Sequence, residues 1–143
     1  MSNNNIQALS AVSPIDGRYA AQTEALRHYF SEGAFMRYRV RVEVEYFMAL
    51  SQFGVELLAD FPAARAAALR RLYQDFSTDD MLSIKNIEKV TNHDVKAVEY
   101  FIKEKLDGMG LGRYKEMVHF GLTSQDINNT SQPLMLKEAL HEV

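Results

Sequence analysis

Between Ser31 and Gly54 lie 22 residues with no proline and no cluster of turn formers. Two periodicities compete within them. Tyr38, Val40, Val42, Val44 and Tyr46 alternate with Arg39, Arg41, Glu43 and Glu45, as in a half-buried strand. Phe35, Tyr38, Val42, Tyr46, Ala49, Leu50 and Phe53 also fall on one helical stripe. Length decides, because strands seldom exceed about 10 residues, whereas a helix of this length spans ~33 Å. Ser31 supplies an N-cap and Gly54 a C-terminal stop. The β-branched valines weaken this helix locally. Glu43, Glu45 and the neighbouring arginines then read as a solvated face whose ion pairs contribute little.

The rest of the chain follows the helical period. Thr23 is placed to cap a short helix reaching Phe30. Asp60 and Pro62 open a helix over Ala63–Asp75, with proline in the first turn, where its missing N–H does no harm. Ser77-Thr78-Asp79-Asp80 resembles a capping box before a helix over Met81–Lys89, with Ile84, Ile87 and Val90 facing inward. Asp94 is a candidate cap for Val95–Leu106, whose inner stripe is Val95, Val98, Phe101, Ile102 and Leu106. The glycine-rich segment 107–112 breaks the pattern. A short helical turn over Tyr114–Phe120 ends at Gly121. Thr123 or Ser124 caps a last helix, which Pro133 should kink or divide. Residues 6–20, with the turn Ser13-Pro14-Ile15-Asp16-Gly17, form an ordered but irregular arm. No run reads as a strand, so the expected class is all-α.

The chain of 143 residues carries a net charge of −3 with its basic residues scattered, which argues against a nucleic-acid-binding face. It has no cysteine, so disulfides and thiolate metal sites are excluded. No histidine or carboxylate spacing demands a metal, and no glycine-rich loop follows a strand, so no dinucleotide cofactor is implied. No apolar run approaches the ~18 residues of a membrane span, and the N-terminus lacks a signal pattern. The expectation is a cytoplasmic protein with no cofactor, no nucleic-acid partner and no membrane contact.

Two polar clusters sit at element boundaries: Thr91-Asn92-His93-Asp94 and His119 to Asn129. Helix starts offer free N–H groups to anions, so two such junctions suggest one shared site for a small anionic ligand. Asn92 can donate and accept; His93 can carry a proton near neutral pH. Asp94 could cap the helix, anchor Lys96 or orient the imidazole, and the sequence leaves all three open. Thr123 and Ser124 add two hydroxyls, whose plainer reading is capping alone. His119 is either a pocket residue or packed in the core between Val118 and Phe120. Arg18, held just after a tight turn, can fork onto phosphate or carboxylate, and Tyr19 can donate or stack. An ordinary surface arginine and a packing tyrosine are the alternative.

Three stretches, Val12–Tyr19, Thr91–Phe101 and His119–Asn129, resemble three motifs of the adenylosuccinate lyases, in the same order and with similar separations. The bacterial branch is the nearest in pattern, and the resemblance covers essentially the whole chain. It implies the helical fold of the fumarase/aspartase superfamily. Residues 1–113 would form the N-terminal helical domain, with the arm at 1–20. Residues 114–143 would begin the central long-helix domain.

The resemblance also implies a β-elimination. Such lyases release fumarate from adenylosuccinate, giving AMP, and from the succinylated aminoimidazole carboxamide ribotide in purine nucleotide biosynthesis, as homotetramers. It places Arg18, Tyr19, Asn92, His93, Asp94, His119, Thr123 and Ser124 at the substrate, with His93 in an auxiliary role in proton transfer. The principal acid, a histidine in a Thr-His-Gly motif, and the base, a serine in a Ser-Ser-x-Met-Pro loop, have no counterpart in these 143 residues. The chain is therefore expected to be an inactive N-terminal fragment. The competing expectations are another lyase of the superfamily and a non-catalytic helical interaction module.

Overall fold

A computed structural model describes residues 8–142. Among them there is no strand. Six α-helices lie wholly within the described residues: α1 Arg27–Phe30, α2 Glu32–Phe53, α3 Ala66–Gln74, α4 Thr78–Thr91, α5 Asp94–Gly108 and α6 Ser124–Glu142. Short 3-10 turns at Glu24–Leu26, Glu56–Leu58, Ala63–Arg65 and Gly112–Met117 connect them.

The helix α2 is the axis of the molecule. The Ser31 hydroxyl accepts from the Ala34 N–H at 3.1 Å, and Gly54 closes the helix at φ 84°. The helical reading of this stretch holds, but its buried face is rotated from the expected one. Ala34, Met36, Val40, Glu43, Val44, Phe47 and Met48 point inward, whereas Phe53 is exposed. α3, α5 and α6 pack around α2, and α4 and α5 pack on each other as a hairpin joined by Asn92 and His93. The stripe Val95, Val98, Phe101, Ile102 and Leu106 is buried as anticipated. Edge-on contacts at 5.3 Å from Phe47 to Phe61 and from Phe61 to Tyr114 fasten the loop after α2 to the 3-10 turn at 112–117.

Several expectations are corrected. Val90 is 83% exposed, at the open groove that it lines with Lys96 and Tyr100 of α5, and only Ile84 of its trio is fully buried. The helix after Pro62 begins as a 3-10 turn, as does the element before Gly121. Thr23 caps nothing with its side chain; its hydroxyl donates back to the Ile15 and Tyr19 carbonyls and ties the arm to itself. Pro133 lies within one continuous helix, α6, and does not divide it. Ser77 and Asp80 form the capping box in full, although α4 extends beyond its expected span at both ends. Leu136 and Leu140 are exposed on α6. No helix among the described residues is long and apolar enough to cross a membrane.

The arm turns where Gly17 allows it. A Cβ there would meet the Ala8 carbonyl oxygen at 2.4 Å and the Ala11 Cβ at 2.9 Å. The Asp16 carboxylate accepts from the Ser13 N–H at 2.8 Å, which holds its carboxyl below the usual range.

Candidate functional site

Two helix starts meet at the candidate site. α4 ends at Asn92, whose backbone is left-handed (φ 52°, ψ 29°) and whose N–H donates to the Glu88 carbonyl at 2.8 Å. Asparagine tolerates this conformation better than most residues, which gives Asn92 a backbone role beside any contact with ligand. The chain then extends at His93 and enters α5. His93, not Asp94, is the cap: its Nδ1 accepts from the Lys96 N–H at 3.2 Å. An N–H cannot accept, so the neutral ring carries its hydrogen on Nε2. That nitrogen lies 3.3 Å from the Ser124 Oγ, at the first residue of α6. Residues 31 positions apart in sequence are thus joined across the two helix N-termini.

Asp94 is the first residue of α5, and its carboxylate faces two ways. Oδ1 accepts from the Val95 N–H at 2.8 Å, and Oδ2 takes the Arg39 guanidinium at 2.7 Å. Burial alone would raise this carboxyl, but those two contacts hold it below the usual range. Arg39 also donates to the Asn128 Oδ1 at 3.0 Å and lies over the Phe35 ring. One buried arginine of α2 therefore fixes the first turns of both α5 and α6.

At the start of α6 the Thr123 N–H and hydroxyl both donate to the Asp126 carboxylate, at 2.8 and 2.9 Å. These contacts lower the Asp126 carboxyl. The Thr123 hydroxyl is thus engaged within the helix start, while Ser124 faces His93.

His119 lies beneath this helix start at φ 61°, an uncommon conformation for a residue with a Cβ. Its Nδ1 is 2.5 Å from the Glu43 Oε1. Glu43, read from sequence as part of a solvated face, is 0% exposed, because the buried face of α2 includes it. Burial pushes its carboxyl up, and His119 pulls it partly back. One turn further along α2 the Tyr46 hydroxyl donates to the Phe120 carbonyl at 2.9 Å. Glu43 and Tyr46 together grip the loop that leads into Thr123 and Ser124. The sequence did carry a sign of Glu43: it lies on the same helical face as Val40, Val44 and Phe47, where a carboxylate needs a partner.

Arg18 and Tyr19 are exposed on the arm, and the Arg18 guanidinium lies 5.3 Å from the centre of the Tyr19 ring. The described chain therefore joins His93 with Ser124 directly and sets Asp94, His119 and Thr123 around their helix starts, with no hydrogen bond from Arg18 or Tyr19 to His93 or Ser124 among the described residues. No group of three or more histidines and carboxylates among the described residues is arranged to hold a metal ion.

Comparison with known proteins fits this arrangement. A family model described as "Lyase" matches residues 17–143. The chain belongs to this lyase family. The match takes in both helix starts and Arg18, with all-helical architecture throughout the described lyase segment. The chain is 49% identical to an adenylosuccinate lyase of Dictyostelium discoideum over 99% of its length. It is 49% identical to one of Vibrio cholerae over 94% of its length, and 45% identical to one of Escherichia coli over 96%. It spans 30–31% of the length of these curated relatives.

Proposed function

We propose that this chain is the substrate-binding portion of an adenylosuccinate lyase. The complete enzyme eliminates fumarate from adenylosuccinate to leave AMP, and from the succinylated aminoimidazole carboxamide ribotide, in purine nucleotide biosynthesis. The observation that carries this reading is the 3.3 Å contact between His93 and Ser124 across two helix starts. A donor nitrogen, a hydroxyl and free backbone N–H groups there suit a carboxylate of the succinyl group. The likeness to enzymes named adenylosuccinate lyase supports the same reading.

In the elimination a base removes a proton beside a carboxylate, the C–N bond breaks, and an acid protonates the leaving nitrogen. This chain's residues would orient and bind. Ser124 and the start of α6 hold a succinyl carboxylate, and His93, fixed by its capping bond, steadies the group about to lose its proton. Arg18 and Tyr19 reach the phosphate-bearing part of the nucleotide from the arm. The acid and base belong to motifs that these 143 residues lack. The working assembly is a cytoplasmic homotetramer.

Expression of the complete coding frame, followed by assay of AMP and fumarate formation from adenylosuccinate, tests the reading. Release of both products is expected, with none from the 143-residue chain alone. A complete protein that leaves adenylosuccinate intact would overturn it.

A further inference from the structure

We propose that Glu43 is the positioning residue for His119: it keeps the imidazole hydrogen on Nδ1, so that Nε2 is the nitrogen offered to a ligand. The argument starts from placement. Glu43 sits in the buried face of α2, and its Oε1 is 2.5 Å from the His119 Nδ1. Burial pushes the Glu43 carboxyl up, but the contact with His119 favours its ionised form, and an ionised carboxylate only accepts, so the hydrogen between them resides on the ring nitrogen. The other oxygen, Oε2, is buried with no hydrogen bond among the described residues, which leaves His119 as the residue that bonds this carboxylate. His119 is held at φ 61°, and Tyr46 anchors the next carbonyl.

The outward edge of the ring is what remains for chemistry. The His119 side chain is 16% exposed, and its Nε2 has no hydrogen-bond partner among the described residues. The His119 carbonyl accepts from the Leu122 N–H at 3.2 Å, a turn that leads the chain straight into Thr123 and the first turn of α6. His119 therefore borders the helix start that carries Ser124. His93 holds its hydrogen on Nε2 because Nδ1 accepts from Lys96, whereas His119 holds its hydrogen on Nδ1 because Glu43 demands it. The two histidines present opposite faces of the same chemistry: an N–H donor at His93 and a bare acceptor nitrogen at His119.

The tautomer stands independently of any substrate. Its use, with the bare Nε2 accepting from an N–H or O–H of the bound nucleotide, rests on the lyase reading above. Long-range proton–nitrogen correlation spectra of this chain, with nitrogen-labelled histidine, test it. In the neutral ring, His119 should show a protonated Nδ1 with a far-downfield proton and an unprotonated Nε2, and His93 the reverse. Glu43→Gln should remove the downfield signal, and Glu43→Leu should shift the hydrogen to Nε2, both leaving His93 unchanged. A parent His119 protonated on Nε2 would overturn the proposal even if neither variant folds. So would a folded Glu43→Leu that keeps Nδ1–H.

In the complete enzyme, Glu43→Gln should lower kcat about tenfold or more with KM less affected, as for other residues that orient a functional side chain. Full turnover in that variant would remove the catalytic consequence. A parent enzyme that releases no fumarate would instead sink the lyase reading and leave the tautomer to the spectra.

Discussion

Arg39 donates to Asp94 at 2.7 Å from a position only 6% exposed, so a cation in the interior of α2 determines where α5 begins. The same guanidinium reaches Asn128 on α6. Losing it frees both helix starts and leaves unfilled volume. Arg39→Ala should destabilise the chain by roughly 1–3 kcal/mol, less than for a fully buried pair because the Asp94 side chain is half exposed. Urea midpoints check this. A change under about 0.5 kcal/mol would mean that the bridge contributes little.

His93 serves α5 as a cap, which complicates any alanine substitution. His93→Asn separates the two roles, because asparagine is among the best capping residues. The variant should keep its urea midpoint within about 0.5 kcal/mol of the parent. In the complete enzyme its turnover should fall by about 100-fold or more, the usual scale for a group that assists proton transfer. Turnover near that of the parent would remove His93 from the site.

Asn92 owes its place partly to a backbone angle. Asn92→Ala puts a Cβ without a compensating amide at φ 52° and should cost about 1 kcal/mol. Asn92→Gly should leave stability nearly unchanged while weakening substrate binding in the complete enzyme. Thermal denaturation of both variants, with KM for the glycine form, distinguishes the backbone from the side chain.

Glu45 supplies a pH-dependent contribution. Arg70 forks onto it at 2.8 and 2.9 Å and lowers its carboxyl below the ordinary 4.5, against the opposing effect of burial, with Tyr73 adding a third bond. A lowered folded value means stability that is present above about 4.5 and lost as pH falls through the folded value. Arg70→Leu should therefore be less stable than the parent at pH 7 by up to about 1 kcal/mol, since both side chains are over a third exposed. The gap should narrow on acidification below about 4.5. A gap that stays constant with pH would show that Arg70 acts through packing alone.

The helical class, the caps at Ser31 and Ser77, the stop at Gly54 and the α5 stripe could be read from the chain because each depends on neighbours within a turn or two. The clusters at 92–94 and 119–124 could be found for the same reason, as polar residues at element boundaries. What could not be read locally was which partner each residue meets. Val90 sits at a fitting helical position, yet it lies exposed at the open groove that it lines with α5. Asp94 was the expected cap, and the extended backbone at His93 puts the cap one residue earlier. Glu43 pairs with a residue 76 positions away, a contact that no local period encodes. Alternation along α2 drew it as a surface charge, whereas the helix rotation places it inside.

A single helix, α2, both fills the interior through Val40, Val44 and Phe47 and steers the two polar helix starts through Arg39, Glu43 and Tyr46. Folding and recognition therefore share one set of tolerances. A methyl group gained or lost at Val40 or Val44 would be transmitted as a tilt to residues far off in sequence. Divergence in specificity is then open to changes in the hydrophobic interior as well as at the mouth of the pocket.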